Sequence, residues 1–245
     1  GGRRGVVLAT LPTTIVPASL GIFAESATRD DFRLAMFAVP VGMFVDALFL
    51  WSWRVVPQRL PKASLRVRLA LMVAVAVGVW TLAAGAGMIA LASVPSREIF
   101  GGVVAVCIAL FGVVSCWAAP PSPGGSNPAG VGALLARGAL AAAAIALSVW
   151  LASLGNPLLA GMASVFPAIF ITTMISLWLA QGESVPVGAV GPMILGSTSV
   201  AVYALLAALA MPAVGAAAGA LLAWVGAVSL ASIPAAIWLH SRENV

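Results

Sequence analysis

An aspartate in the middle of an apolar run has the most chemistry to offer. Asp46 stands in 41-VGMFVDALFLW-51, where an ionised carboxylate costs at least about 2.5 kcal/mol inside a membrane helix. Carboxylates kept at that cost usually face a cavity or a partner, and they bind a cation or carry a proton. Asp46 is therefore a candidate for coupling or substrate contact. The competing reading is a buried ion pair, for which Arg137 is the one candidate at similar depth.

Two interrupted apolar stretches add hydroxyls. The first, 11-LPTTIVPASL-20, holds Pro12, Thr13, Thr14 and Pro17; the second, 166-FPAIFITTM-174, holds Pro167, Thr172 and Thr173. A proline within a helix removes one backbone hydrogen bond and crowds the carbonyl four residues earlier. In hydrocarbon the freed groups must find hydroxyls, water or a ligand. These are either kinks healed by neighbouring threonines or broken helices lining a site. A third hydroxyl run, 196-GSTS-199, offers Ser197 and Ser199 either for close helix packing or for substrate contact.

Other chemistries lack their residues. The only histidine is His240, and no His/Asp/Glu cluster has metal-ligand spacing. Cys107 and Cys116 lie nine residues apart on one predicted helix, where they read as small packing residues. No G-x-x-x-x-G-K-[ST] motif is present, and no intramembrane histidine could activate a serine. The residues point away from an enzyme, a metal centre or a bound cofactor.

The elements that must position these groups follow from composition. Of 245 residues, 62% are hydrophobic and 8% charged, and apolar runs of about 20 residues, the length that crosses a bilayer as a helix, recur throughout. The expected fold is an all-α polytopic integral membrane protein with about eight transmembrane helices. The spans read 5–24, 34–54, 68–92, 99–118, 133–153, 157–180, 187–211 and 213–239. Proline and glycine mark the connections, above all 120-PPSPGGSNPAG-130, and tight turns are expected near residues 155 and 212.

Lysine and arginine set the orientation. With a cytoplasmic N-terminus, that side holds Arg3, Arg4, Arg54, Arg59, Lys62, Arg66, Arg68, Arg137 and Arg242, against Arg29, Arg33 and Arg97 outside. Both visible ends are then cytoplasmic, in a bacterial inner membrane. Glu25 and Glu183 fall in loops as solvated charges, and Arg29 to Arg33 form an exposed cluster. Trp51, Trp53, Trp117 and Trp238 lie near predicted ends as interfacial anchors.

A shift of 155 residues brings Pro12 onto Pro167 and Pro57 onto Pro212, with the same order of elements between. The matching spans are the first and sixth, an odd separation, so the copies must cross in opposite directions. Inverted repeats of this kind are a plan of secondary transporters. The chain divides into repeat helices at 1–98, a linking helix and loop at 99–132, and a second four-helix unit at 133–245.

Within that second unit, Leu159-Ala160-Gly161, the Phe166-Pro167 pair, the Gly182-Glu183 loop and Tyr203 resemble the small GlpM/DUF3147 family of four-helix bacterial membrane proteins. The resemblance covers about half the chain. It implies a fused pair of units and carries no catalytic residues over.

The expected function is a small secondary transporter moving a small solute or ion, with proton coupling at Asp46. The alternative is a non-catalytic assembly or scaffold subunit of a larger membrane complex. The partners that fit are the lipid bilayer, the solute or ion, and a second copy or another membrane subunit; nucleic acid is not among them.

Overall fold

Thr28 opens the central helix of the protein. Its hydroxyl oxygen accepts the Asp31 N–H at 3.0 Å, and Asp30 and Asp31 occupy the first turn, where a helix favours negative charge. The helix runs Arg29–Val55, five residues earlier than the apolar pattern alone predicts, because the cap draws the charged turn into it. The computed structural model describes residues 11–117 and 131–242. It is an all-α polytopic membrane protein, with no strand among the described residues.

In chain order the helices are α1 Ile15–Glu25, α2 Arg29–Val55, α3 Leu65–Ser93, α4 Arg97–Trp117 and α5 Val131–Ser153, followed by α6 Pro157–Ser164 and α7 Ala168–Gln181. Then come α8 Ser184–Val214, α9 Ala216–Ala227 and α10 Ile233–Arg242, the last two joined by a π-helical turn at Val228–Ser232. That turn lies just ahead of Pro234, which supplies no N–H for the preceding carbonyls. Among the described residues, seven helical segments are long and apolar enough to cross a membrane, with α6–α7 and α9–α10 each forming one.

The first predicted span differs. Of its described residues only Ile15 onward are helical, and the 11 residues of α1 rise about 16 Å, short of the ~30 Å hydrocarbon core. Residues 5–10 of that span lie outside the described residues. Pro17 is the third residue of α1. First-turn amides have no intrahelical acceptor, so Pro17 opens nothing. Pro167, by contrast, separates α6 from α7.

Two long helices form the centre. In its most apolar stretch α2 is 78% buried, whereas α5 is only 6% buried and lies at the periphery. Helix α2 packs most extensively against α8; α3 lies on α2, α9 lies on α8, and α4 touches both central helices. Small residues allow these approaches. A Cβ added at Gly161 would collide with the Ala35 carbonyl oxygen, and one at Gly112 would lie 2.6 Å from the Leu195 Cα.

Side-chain contacts show which ends lie together. Arg68, near the start of α3, makes a bidentate pair with Glu183, its Nε and Nη2 each 2.6 Å from a carboxylate oxygen. Arg54, at the end of α2, donates to the Ser115 carbonyl at 2.7 Å, and Trp117 meets Trp238 edge-on at 6.0 Å. One end of the bundle therefore holds the termini of α2, α4, α7 and α10 and the start of α3. At the other end, Gly21 of α1 lies against Val149 of α5.

Several local expectations change. Glu183 is not simply solvated, because Arg68 is held beside it while also donating to the Pro57, Leu60 and Pro61 carbonyls. Trp53 is fully buried, not interfacial, and meets Trp178 edge-on at 5.9 Å. Helix α8 continues through Pro212, so the turn falls at Gly215, whose φ of 92° suits a residue without a Cβ.

Candidate functional site

The non-helical residues ahead of α1 and the break at Pro167 meet. Leu11, Thr13, Thr14 and Ile15 from the first, and Val165 to Phe170 from the second, line one cavity of about 410 Å³. That volume lies within the range of small-molecule sites. Helices α1 and α7 both begin at this cavity, at Ile15 and Ala168. From there α1 leads to the α1–α2 connection, while α7 leads to Glu183 at the Arg68 end. The two therefore run away from the cavity in opposite directions, N-terminus toward N-terminus. First-turn amides lack intrahelical acceptors, and the N-terminal partial charge is positive. The cavity thus receives two positive helix ends.

Asp46 reaches it from α2. The residue is 1% exposed; its Oδ1 accepts the Trp80 indole N–H at 2.8 Å, and its Oδ2 is buried without a hydrogen-bond partner. Trp80 also meets Phe166 edge-on at 5.2 Å, so the indole links the carboxylate to the broken segment. Arg137 of α5 lines the same cavity, and its Nε is likewise buried without an acceptor. No ion pair joins Arg137 to Asp46 among the described residues. The partner that the sequence proposed for the carboxylate shares its cavity instead of neutralising it.

The hydroxyls divide. Thr13, Thr14, Thr173 and Ser197 line the cavity, and the Ser197 hydroxyl donates to the Ile194 carbonyl at 2.6 Å. Thr172 does not line it; its hydroxyl lies 2.9 Å from the Ala168 carbonyl and 3.0 Å from that of Ile169. Ser199 turns to the Gly196 carbonyl at 2.8 Å. Pro12 is buried beside the cavity without lining it, and Pro17 is exposed. Near Pro167 the local hydroxyl contact comes from Ser164, which donates to the Gly161 carbonyl at 2.6 Å; the threonines beyond the proline do not perform it.

The structure therefore brings Thr13, Thr14, Asp46, Pro167, Thr173 and Ser197 together and leaves Pro12, Pro17, Thr172 and Ser199 outside the lining. Sequence reasoning missed Trp80, Ser164 and Phe166 as part of the site. Trp80 carried only one signal, an indole N–H in the interior of an apolar helix, where a buried donor needs an acceptor. The remaining walls are apolar, among them Met43, Ala144, Ile145, Ile169, Met193 and Val200. No group of three His, Cys, Asp or Glu side chains suited to a metal ion occurs among the described residues. The arrangement can hold a small molecule among largely apolar side chains, with a carboxyl and a guanidinium both on the lining. No family model matches the chain, and no curated protein or solved structure matches it.

Proposed function

We propose that this chain is a small secondary transporter whose substrate binds in the cavity between the two broken segments. The observation that carries the reading is the Asp46 Oδ2, buried without a partner beside a cavity that two helix N-termini enter. An intramembrane carboxylate left this way has a use for the energy it costs. Discontinuous helices whose N-termini face a mid-depth site are a recurrent device of transporters.

The inverted-repeat reading draws support from the order of packing. Helices α1, α2 and α3 correspond to α7, α8 and α9–α10; α2 and α8 pack on each other, and α3 packs on α2 as α9 packs on α8. The opposite courses of α1 and α7 fit a pseudo-two-fold axis in the membrane plane. The four spans α5, α6–α7, α8 and α9–α10 correspond to the four-helix unit that the GlpM/DUF3147 resemblance implies. Orientation follows from basic residues: the end that holds Arg54, Arg59, Lys62, Arg66 and Arg68 faces the cytoplasm, in a bacterial inner membrane.

In this mechanism the site opens alternately to either side as one repeat rocks against the other. Asp46 carries a proton or meets the substrate's positive group, and Trp80 holds the carboxylate in place. Uptake into proteoliposomes, with and without an imposed pH gradient, tests the reading. Asp46→Asn is expected to abolish gradient-driven uptake; undiminished flux in that variant removes Asp46 from the coupling step.

A further inference from the structure

A buried carboxyl and a half-buried guanidinium line the same cavity, and each has a buried polar atom without a partner. Asp46 Oδ2 is buried without a donor and Arg137 Nε without an acceptor, on two residues of the lining. Were they placed to serve one another, an ion pair within 4.0 Å would join them; none does. Each therefore needs a partner from elsewhere, and the two needs are opposite.

The helix ends add to this asymmetry. The first turns of α1 and α7 bring partial positive charge to the cavity, although the Ala168 N–H is taken by the Phe166 carbonyl and Pro17 has none to offer. Arg137 and these turns favour a negative group, and a carboxylate matches the planar guanidinium fork. Asp46 favours a positive group. Its Oδ2 lacks a hydrogen-bond donor, so an ammonium bearing N–H groups serves it and a fully alkylated one does not. An anion alone would leave Asp46 unmatched, and an amine alone would leave Arg137 unmatched. Buried polar groups left in that state are costly. One molecule carrying both charges satisfies both.

The rest of the lining is largely hydrocarbon, with Met43, Ile145, Ile169, Phe170 and Val200 among it. They suit an apolar body. About 410 Å³ exceeds what one small polar ion would fill.

We infer that the cavity binds a small zwitterion of the aliphatic amino-acid class, its ammonium on Asp46 and its carboxylate on Arg137 and the first turns of α1 and α7. The assignment rests on the transport reading for its biological meaning, since the bound molecule would be the substrate, but the binding chemistry stands on the side chains. Trp80 is a positioning residue here: by holding Oδ1 it leaves Oδ2 for the ammonium.

Three probes of matched shape test it: L-leucine, 4-methylpentanoate, which lacks the ammonium, and 3-methylbutylamine, which lacks the carboxylate. Binding to the purified full chain in detergent micelles is measured by titration calorimetry. L-Leucine is expected to bind about tenfold or more tighter than either analogue, the scale of one lost buried charge contact. Comparable binding of 4-methylpentanoate overturns the proposal in favour of an anion site. Comparable binding of 3-methylbutylamine overturns it in favour of a cation site. Failure of all three to bind overturns it outright.

The variants supply a readout that misfolding does not imitate. Asp46→Asn should bring 4-methylpentanoate level with L-leucine, and Arg137→Gln should bring 3-methylbutylamine level with it. An unchanged order of probes in both variants, with L-leucine still first, removes these two side chains from recognition and overturns the proposal. L-Leucine flux in proteoliposomes separates the two layers. Binding in the expected order without flux upholds the zwitterion site and counts against transport. Flux of a different solute, with no L-leucine binding, leaves transport standing and sinks the zwitterion.

Discussion

Trp80 donates its indole N–H to one oxygen of Asp46 at 2.8 Å and leaves the other buried without a partner, on a residue that lines the cavity. The bond joins α3 to α2 at the depth of the site, and the same indole packs edge-on against Phe166 beside the helix break. One side chain thus sets both the carboxylate and the irregular segment. Trp80→Phe keeps an aromatic ring for Phe166 and removes the donor. It should lower stability by about 1–3 kcal/mol, the cost of stranding a buried polar group, and weaken ligand binding. A double-mutant cycle with Asp46→Asn, read by thermal unfolding in micelles, should give a coupling of about 0.5–3 kcal/mol; additive effects would dissociate the pair.

The contact of α2 with α6 depends on a missing side chain. A Cβ at Gly161 would strike the Ala35 carbonyl oxygen, part of a backbone with little room to move. Gly161→Ala should destabilise by about 1–3 kcal/mol through overpacking. Gly85→Ala, at a helical position where an added Cβ meets nothing within 4 Å, should instead be neutral or stabilising by about 0.5–1 kcal/mol. Denaturation of the two variants side by side checks the sign at each position.

The Arg68–Glu183 pair ties the α7–α8 connection to the segment between α2 and α3, because the same guanidinium also reaches the Pro57, Leu60 and Pro61 carbonyls. A lysine cannot reproduce that fork. Arg68→Lys and Glu183→Gln should both raise amide hydrogen exchange at residues 58–60 and 182–184, with α9 unaffected. Equal protection in variant and parent would assign the pair no role in holding that end.

Sidedness has a direct check. In a background without Cys107 and Cys116, single cysteines at Ser26, Ser96 and Asn156 should react with an impermeant thiol reagent from one face, and those at Lys62 and Gly182 from the other. The first group is expected outside. Labelling of residues 26 and 182 from the same face would defeat the antiparallel course of α1 and α7.

Much of the architecture was legible in the chain. Apolar runs of bilayer length located the seven long helices, because a membrane helix must satisfy its backbone internally. Boundaries were less legible where polar caps extend a helix beyond its apolar core, as Thr28 does for α2. The reading of Trp53 as an anchor failed because nearness to a helix end does not say which face meets Trp178.

What the sequence determined by itself was that apolar segments of bilayer length recur, that a proline divides one of them at Pro167, and that Asp46 stands where charge is expensive. Each of these is a local property of spacing and solvation. Only the tertiary structure decided that the residues ahead of α1 and the break at Pro167 share one cavity, that Trp80 holds Asp46, and that Arg137 lines that carboxylate's cavity without pairing to it. These are meetings between helices far apart in the chain. They depend on which faces pack together, and the close approaches at Gly161 and Gly112 help set that choice.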